Sequence, residues 1–594
     1  MERRMLTLLA LCLLIAAGSA ELRLKCLAQY PCGHYTPSIV LGDTDHDSLG
    51  EVILCTWDRP QPIWQIFEYR PVNRLALAKA DTGMWPCPQG MISGNFVPFD
   101  IGDIDRDGKT DLVGQNWYRD SAGMHDVMCT IESRDSFSYP DSLNWCIWME
   151  STTTIAQMFP KRHADLDRDS AGEILSFWQW GTEWGTGVFG NVGNDRESLV
   201  NMVPGWPTVR SPVADFDQNG RTDFALVWGN DIFVYECLGD NQFARVCSLH
   251  VGWPNVVETF CGNNVDGSGR PVFFVVYSRH VFLYEQYLYE FEASSQGSYQ
   301  YHLVDSTLAY WPQENQSFCA DLDGDGRDEV VWGDGYGERL QIYKAAEQGP
   351  HEFQRVGTWQ GDSGEYTICN AADLNRNGYP EVFVAGDPRM SVLEIEAIRV
   401  EYPNARLSFT AGDTCAIRWQ VYTPPRCDSV SLFLRSDSNT VNGFYRLDTI
   451  AHGLSPNDSA YSWIVPDTTL DSARILAIAY GPGWQLDESD SAFRIAPAGV
   501  AGPRIVPPRN WALSVSPNPA RGAFAVSYDV PRAGRVSVGV YDADGRLTRT
   551  LARGVLTAGR YQATLTRPIL PAGIYFVTLD NGGTRITQKV VLTE

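Results

Sequence analysis

A single arrangement of apolar and polar segments recurs through the first two-thirds of the chain. In one copy, the apolar segment 317–320 leads into an acidic loop, and the apolar segment 330–332 follows it. Two further apolar segments, 340–343 and 353–356, complete that copy. Four strand-like segments in a repeat of roughly 50–60 residues are typical of a β-propeller blade. The pattern therefore predicts an all-β protein that begins with a propeller.

The arrangement occurs seven times, and the acidic loops give the register of the repeat. The seventh copy has no clear fourth strand, whereas the apolar segment 22–27, ahead of the first copy, resembles one. Because closing the ring removes exposed sheet edges, we predict that the N-terminus completes the last blade of a seven-bladed propeller over residues 21–396. The loops begin at Asp43, Asp103, Asp165, Asp215, Asn264, Asp321 and Asp373.

Each acidic loop places oxygen-bearing side chains at alternate positions. In the second loop these are Asp103, Asp105 and Asp107, with Gly108 at position six and Asp111 at position nine. Carboxylates this close repel each other without a cation. Calcium takes six to eight oxygen ligands, and glycine permits the tight turn around it. An EF-hand would need a glutamate at position twelve and flanking helices, so the loops predict calcium sites of another kind.

Six of the seven loops are candidate calcium sites. The fifth loop, which begins at Asn264, has Val272 at position nine, and we expect it to be empty. Asx-type turns without metal are the alternative for all of them. The predicted ligands, loop by loop, are Asp43, Asp45, Asp47 and Glu51; Asp103, Asp105, Asp107 and Asp111; Asp165, Asp167, Asp169 and Glu173; Asp215, Asp217, Asn219 and Asp223; Asp321, Asp323, Asp325 and Glu329; Asp373, Asn375, Asn377 and Glu381.

These loops resemble the FG-GAP/VCBS repeats of integrin-α-like seven-bladed propellers, over about residues 21–396. The resemblance implies that each calcium loop joins the first and second strands of a blade. It also implies that the metal stabilises the blade and has no catalytic role.

Aromatic residues collect at the ends of the predicted second strands and in Trp-Pro pairs ahead of the first strands. Both positions lie on the propeller face opposite the calcium loops, because strand direction alternates within a blade. Trp178, Trp180 and Trp184 form the densest group, and we expect them to contact a ligand. Flat apolar rings with polar edges suit stacking on sugars or gripping a peptide. The alternative is that these rings pack the blades together.

The start of the chain reads as a secretory signal over residues 1–20. Arg3 and Arg4 precede the apolar run 6–17, and small residues follow it. No later run reaches the ~18 apolar residues of a membrane span, so we expect an exported protein without a transmembrane segment.

Export permits disulfides. Two cysteine pairs have the spacing of hairpin bridges: Cys237 with Cys247, and Cys415 with Cys427.

The C-terminal third alternates apolar and polar residues between frequent turns, which predicts two further β units. Residues 397–496 resemble the Ig-like modules of fungal and bacterial cell-wall proteins, and the Pro- and Gly-rich residues 497–509 indicate a linker. Residues 510–594 form a small β-sandwich with the motifs Ser514–Pro519 and Pro571–Val577. They resemble the type A sorting domain of the type IX secretion system. That resemblance implies contact with the secretion machinery and delivery to the cell surface or beyond.

The net charge and the sequence motifs limit the classes of function that fit this chain. The chain has 47 basic and 72 acidic residues, a net charge of −25, and this surplus repels phosphate backbones, so we expect no nucleic-acid partner. It has no local catalytic motif, and we assign no catalytic residues. We predict a calcium-binding adhesion or binding protein whose partner is an extracellular glycan or surface protein. A polysaccharide lyase with a site assembled from distant blades and a purely architectural envelope protein are the alternatives.

Overall fold

A computed structural model describes most of the chain, in two compact units, Met1–Ile395 and Glu396–Glu594. The predicted signal segment 1–20 and residues 498–509 of the predicted linker lie outside the described residues. The described residues are 22–32, 38–56, 63–70, 74–81, 96–119, 124–133, 135, 138–148, 156–180, 183–193, 196–252, 255–279, 284–309, 317–333, 339–346, 351–361, 368–386, 389–422, 425–441, 444–497, 510–521, 523–556, 558–566 and 570–593.

Strands are the regular elements of the first unit's described residues. They are β1 (Leu24–Pro31), β2 (Ser38–Gly42), β3 (Glu51–Thr56), β4 (Ile63–Arg70), β5 (Arg74–Asp81), β6 (Val97–Gly102), β7 (Asp111–Arg119), β8 (Met124–Ser133), β9 (Pro140–Trp148), β10 (Ala156–Ala164), β11 (Glu173–Trp180), β12 (Glu183–Gly193), β13 (Arg196–Val203), β14 (Val213–Ala214), β15 (Asp223–Trp228), β16 (Asp231–Gly239), β17 (Gln242–His250), β18 (Val256–Gly262), β19 (Val272–Arg279), β20 (Tyr284–Ser295), β21 (Ser298–Ala309), β22 (Ser317–Ala320), β23 (Glu329–Gly333), β24 (Arg339–Ala345), β25 (Phe353–Gln360), β26 (Ile368–Ala372), β27 (Glu381–Gly386) and β28 (Arg389–Ile395).

These strands form seven four-stranded antiparallel sheets, numbered here in chain order. Sheets 1 to 6 are β2–β5, β6–β9, β10–β13, β14–β17, β18–β21 and β22–β25. Sheet 7 contains β26, β27 and β28, with β1 as its fourth strand. The acidic loops therefore connect the first and second strands of their sheets, as the sequence predicted.

The second strand of a sheet is the most deeply buried. All residues of β23 and β27 are buried, and so are all but the last residue of β15 and β19. The reason is that consecutive sheets share apolar clusters, so a second strand has neighbours on both faces. Sheets 5 and 6, for example, enclose Phe274 and Trp332 together. The fourth strand β25 lies at the rim and is half exposed.

The N-terminal strand completes the last sheet, as predicted. Strand β1 pairs antiparallel with β28, with Leu24 opposite Ile395. Ahead of it, the Leu22 backbone N donates to the Val356 carbonyl at 2.8 Å, which also ties the N-terminus to sheet 6. Sheets 7 and 1 share a further apolar cluster that contains Phe383 and Leu54. The first and last parts of this unit are thereby joined.

The first strands of the sheets, or the residues just ahead of them, converge on one central cavity of about 200 Å³. Six of the seven sheets contribute residues of their first strands to its lining, and at the fourth position the lining is Val209 and Arg210, just ahead of β14. Sheets arranged around a common axis, each with its first strand innermost, define a β-propeller. The prediction of an all-β propeller is confirmed.

Strands are also the regular elements of the second unit's described residues. They are β29 (Ile398–Tyr402), β30 (Ser408–Thr410), β31 (Thr414–Val421), β32 (Ser429–Val441), β33 (Phe444–Leu454), β34 (Ala460–Ile464), β35 (Leu470–Tyr480), β36 (Trp484–Glu488), β37 (Phe493–Ala496), β38 (Ala512–Ser516), β39 (Ala520–Arg521), β40 (Ala523–Val530), β41 (Gly534–Tyr541), β42 (Leu547–Leu556), β43 (Gly559–Thr566), β44 (Gly573–Asp580) and β45 (Arg585–Thr593).

Two pairs of sheets make up this unit. In the first pair, β29-β31-β34 faces β30-β37-β35-β32-β33, and the core between them includes Trp419 and Ile475. In the second pair, β38-β40-β43 faces β39-β45-β44-β41-β42 around Val526 and Val577. Ala416 of the first pair also lies in the second core. The two pairs therefore pack against each other.

The two hairpin disulfides expected from sequence spacing are wrong. Cys237 lies opposite Phe243, and Cys247 lies opposite Val234. Cys415 lies opposite Trp463 of β34. Cys427 lies just ahead of β32, which belongs to the other sheet of this pair. All four of these thiols are free. The spacing along the chain was suitable, but the pairing register of the strands places the sulfurs apart.

The burial of Leu22 predicts a large effect of truncating its side chain. Leu22 is 1% exposed and Leu238 is 51% exposed, although both belong to the first unit. Leu22→Ala should lower the free energy of unfolding by about 2–5 kcal/mol, because a buried leucine leaves a cavity. Leu238→Ala should change it by less than about 0.5 kcal/mol. Denaturant titration of both variants measures the difference, and equal effects would contradict the closing role of the N-terminal segment.

Candidate metal centres

The acidic loops share one backbone turn that their position-one aspartates organise. In the second loop, Asp107 N donates to Asp103 Oδ1 at 3.1 Å, and Gly108 N donates to Asp103 Oδ2 at 3.0 Å. The fourth and sixth loops repeat these bonds around Asp215 and Asp321. The Asx-type turns weighed in the sequence analysis are therefore present, and they hold the carboxylates in place.

Position six adopts a left-handed backbone in these turns. Gly220 has φ 91° and Gly326 has φ 86°, which glycine adopts without steric cost. The first and third loops have serine there, and Ser48 and Ser170 are held in the same region at φ 76° and 75°. The turn geometry is thus kept even where the sequence lacks the glycine.

The position-nine acid starts the second strand and is buried. One of its oxygens accepts a backbone hydrogen bond from position two, as in Leu166 N to Glu173 Oε2 at 2.7 Å and Ile104 N to Asp111 Oδ2 at 3.0 Å. The other oxygen is buried without a hydrogen-bond partner in Glu51, Asp111 and Asp223. A buried oxygen without a donor is costly. A cation in the loop would satisfy it, so these residues fit calcium.

The structure brings some predicted ligands together and separates others. In the first loop, Asp43, Asp45, Asp47 and Glu51 each offer an oxygen within 4.8 Å of the others. The second loop gathers Asp103, Asp105 and Asp111, and the third gathers Asp165, Asp167 and Glu173. Asp107 lies in an adjacent group with Asp105 and Glu132 and pairs with Lys109 at 2.5 Å, whereas Asp169 pairs with Arg106 at 2.5 Å.

In the fourth loop, an amide group lies beside the carboxylates. The Asn219 side-chain amide donates to Glu236, and Arg221 pairs with the same carboxylate at 2.6 Å. Asp215, Asp217 and Asp223 remain as acidic ligands, and Asp223 Oδ1 is one of the unpartnered oxygens.

In the seventh loop, side-chain amides donate hydrogen bonds to the buried acids. Asn375 donates to Glu381, and Asn377 donates to Glu394 at 2.5 Å. Two amide side chains therefore lie at positions three and five, where the first three loops have aspartates. This loop needs a cation less than the first four loops do.

The sixth loop contains a cation from the protein itself. The Lys344 ammonium lies 2.6 Å from Asp323 Oδ2, 2.8 Å from Asp325 Oδ2 and 2.7 Å from Glu329 Oε1. Lys344 belongs to the third strand of sheet 6. Calcium could enter this loop only by displacing the ammonium group.

Sequence reasoning missed that third strands supply charged groups to the loops. Glu68 lies opposite Glu51, Glu132 opposite Asp111, and Glu236 opposite Asp223. The separation along the chain between the paired acids ranges from 13 to 21 residues, because the connecting hairpins differ in length. A recurring acid in the third strand was the available signal, but strand register was needed to align it with the loops.

Burial controls the protonation of the loops. It raises the pKa of Glu51, Asp111 and Glu173 to about 8 and that of Asp223 to about 7. Repulsion from neighbouring acids adds to each shift. The loops therefore hold protons near neutral pH unless a cation replaces them.

The tryptophans proposed as ligand contacts do not form one patch. Trp178 lies opposite Gly185, and Trp184 lies opposite Gln179, so the two side chains lie on different faces of sheet 3. Trp178 packs against the apolar cluster shared with sheet 2. Trp184 is stacked between Trp206 and Trp228, with centroid distances of 4.4 and 4.2 Å. Trp180 ends the same strand as Trp178. The expected ligand contact by these residues stays a prediction.

Two parts of the chain match known families. Residues 321–384 match the FG-GAP-like repeat, and residues 514–593 match the secretion system C-terminal sorting domain. The first match covers the sixth and seventh acidic loops, and the second covers nearly all of the last pair of sheets. No curated protein matches the chain.

Solved structures similar to this chain have low overall agreement with it. The periplasmic gluconolactonase PpgL of Pseudomonas aeruginosa is 12% identical, covers 59% of this chain and 95% of its own, and has a TM-score of 0.38. A functionally unknown protein of Desulfotomaculum acetoxidans is 10% identical, with coverage of 56% and 90% and a TM-score of 0.33.

The class of protein follows from the sheets and the two family matches. It is a β-propeller protein with an FG-GAP-like repeat, exported through type IX secretion to the cell surface or the extracellular space. The sorting domain indicates the secretion machinery as a partner. None of the described residues form a helix long and apolar enough to cross a membrane.

The raised pKa values predict how metal-free protein responds to pH. In the unfolded chain these acids titrate near pH 4, whereas burial raises the pKa of Glu51 in the folded state to about 8. The folded state therefore retains protons that the unfolded state releases, and stability falls as pH rises from about 4 to about 8. Thermal unfolding in chelator should show this decline, and saturating calcium should reduce it because calcium binds the ionised acids. A pH-independent melting temperature in chelator would contradict the assignment.

Proposed function

We propose that this protein is a secreted binding or adhesion protein whose propeller is stabilised by calcium. Its partner is an extracellular glycan or a surface protein. In this proposal residues 1–20 direct the first export step, and residues 397–496 are an Ig-like spacer ahead of the sorting domain. The metal has a structural role, because its ligands lie in turns between paired strands.

The observation that supports calcium most strongly is the unpartnered oxygen of the position-nine acid. Glu51, Asp111 and Asp223 each direct such an oxygen away from any donor. Three or more acids within 4.8 Å surround this position in the first and second loops. Hard cations of the calcium type prefer this set of oxygen ligands.

The loops differ in their need for metal. We propose calcium in the first four loops, where carboxylates dominate. In the seventh loop, Asn375 and Asn377 already donate to the acids, so binding is weaker. In the sixth loop, Lys344 competes with calcium for Asp323, Asp325 and Glu329.

A row of tyrosines on sheet 5 supports a binding role. Tyr287, Tyr289 and Tyr301 have neighbouring ring centroids 5.9–6.5 Å apart. Tyr301 is 41% exposed and Leu303, in the same strand, is 51% exposed. Aromatic rings with hydroxyl groups at their edges combine stacking with hydrogen bonding, which suits a sugar ring. Trp184 is less suited, because other rings cover both of its faces.

Calcium binding is tested by counting bound ions in matched variants. Asp223→Asn should remove or weaken one site, whereas Asp266→Asn, in the fifth loop, should leave the count unchanged. Lys344→Gln should add one site, because the competing ammonium is gone. Isothermal titration after chelation gives the counts. At a hundredfold excess over Kd, each site should also stabilise the folded state by about 2.7 kcal/mol. Equal counts in all the variants would contradict the proposed ligands.

Ligand binding is tested on a polysaccharide panel with the secreted protein in calcium. Tyr301→Ala should weaken binding at least about fivefold if the ring contributes a typical stacking energy of roughly 1 kcal/mol or more. Tyr480→Ala, at a ring 38% exposed in the second unit, is the control. Release of shortened oligosaccharides would overturn the binding proposal in favour of a lyase. Retention by no polysaccharide and no surface protein would favour an architectural role.

A further inference from the structure

The central cavity of the propeller concentrates positive charge, although the chain as a whole has a net charge of −25. Lys161 and Arg162 of β10 and Arg210, just ahead of β14, line the cavity. Asp100 of β6 is the only acid among the described residues that line it. Three cationic side chains therefore face one carboxylate around a space of about 200 Å³.

Arg210 reaches across the cavity and binds distant sheets through neutral groups. Its Nη1 donates to the Ser317 carbonyl at 2.7 Å, and its Nη2 donates to the Cys369 carbonyl. These carbonyls belong to the first strands of sheets 6 and 7, whereas Arg210 precedes sheet 4. Among the described residues, no carboxylate forms an ion pair with it. Arginine keeps its charge in proteins, and a buried charge is costly unless an opposite charge meets it.

The nearby acids do not balance the three cations. Both oxygens of Asp100 already accept backbone hydrogen bonds, at 2.9 and 3.1 Å. Arg162 Nη1 lies 3.7 Å from Asp100 Oδ2, which makes a loose pair. Glu258 is 1% exposed and does not line the cavity. Burial lowers the pKa of Arg210, although Glu258 and Asp100 oppose the shift. Even with Glu258 counted, the centre of the propeller has an excess of positive charge.

Two buried polar atoms of the lining lack hydrogen-bond partners. Ser38, in β2, is 2% exposed, and its Oγ has no partner. Arg162 Nε is also buried without one. Lys161 places its ammonium group 5.6 Å from the centre of the Phe99 ring, which lines the same cavity. A hydroxyl and a guanidinium N–H both donate hydrogen bonds, and leaving them buried and unused is costly. The lining thus offers donors and positive charge to an anionic acceptor.

The size and chemistry of the cavity limit the class of occupant. Pockets for drug-sized ligands have volumes of about 300–1,000 Å³, so a cavity of about 200 Å³ suits a smaller molecule. The planar guanidinium fork matches the oxygens of carboxylates and of phosphate-like ions. Hydrogen bonds between such ions and arginine are charge-assisted and roughly twice as strong as neutral ones. The positive lining would repel a metal cation.

We propose that the central cavity binds one small oxyanion, a carboxylate or a tetrahedral ion, which Arg162 and Arg210 hold and to which Ser38 donates. The anion neutralises the excess charge at the centre of the propeller and joins residues of sheets 1 and 3 to the segment ahead of sheet 4. This inference does not depend on the calcium proposal, because the cavity and the acidic loops have no residue in common.

Sulfate and acetate are the probes, because one is tetrahedral and the other is a carboxylate. Isothermal titration of the untagged secreted protein at low ionic strength should show one saturable site per chain for at least one of them. The same anion should raise the melting temperature as its concentration rises. Tighter binding of sulfate would identify a tetrahedral oxyanion, and tighter binding of acetate would identify a carboxylate. If neither anion binds saturably, the proposal is wrong.

Matched arginine variants locate the site. Arg162→Gln and Arg210→Gln should each weaken binding of the preferred anion more than tenfold, and Arg162→Lys should retain more affinity than Arg162→Gln because it keeps the charge. Arg270→Gln is the control, since Arg270 also donates to a backbone carbonyl, that of Ala293 at 3.2 Å, but does not line the cavity. If Arg210→Gln fails to fold for want of its carbonyl bonds, the Arg162 variants decide the question. Unchanged affinity in Arg162→Gln would overturn the proposal.

Discussion

The propeller depends on how it neutralises the buried carboxylate that starts six of its seven described second strands. One oxygen of this acid, Glu51 in the first loop and Asp111 in the second, accepts a backbone hydrogen bond and joins the loop to the strand. The other oxygen faces a turn that is lined with further acids. Burial disfavours its charge, and the neighbours repel it. Each loop therefore needs a proton, a donor group or a cation, and this requirement links the turn, the strand and the neighbouring hairpin.

The loops meet this requirement in different ways although they share one backbone turn. The first loop brings four carboxylates together, and the guanidinium of Arg376 lies 3.5 Å from one of them, Asp43. The seventh loop has the amides of Asn375 and Asn377, and the sixth has the ammonium group of Lys344. The fifth loop has lost the acid at Val272. The repeated fold thus keeps the turn geometry while the charge balance differs from copy to copy.

Apolar packing between the sheets determines which side chains of neighbouring sheets come into contact. Consecutive sheets share buried clusters on both faces, so side chains of one sheet project toward the next. Trp184 is stacked between two rings for this reason, and His351 of sheet 6 reaches Glu290 of sheet 5. In the second unit the same principle joins the two pairs of sheets, since Ala416 completes a core that belongs mainly to the sorting domain.

The sequence by itself determined the strands, the repeat and the positions of the acidic loops, because each follows from short-range periodicity and turn chemistry. It also indicated the N-terminal closing strand and the sorting domain, whose motifs are contiguous. Tertiary structure alone decided that Lys344 enters the sixth loop, that the predicted disulfides do not form, and that Trp178 and Trp184 face opposite ways. The physical reason is register. Hairpins of unequal length set which residues lie opposite each other, and packing between sheets sets which side chains meet, as His351 and Glu290 do.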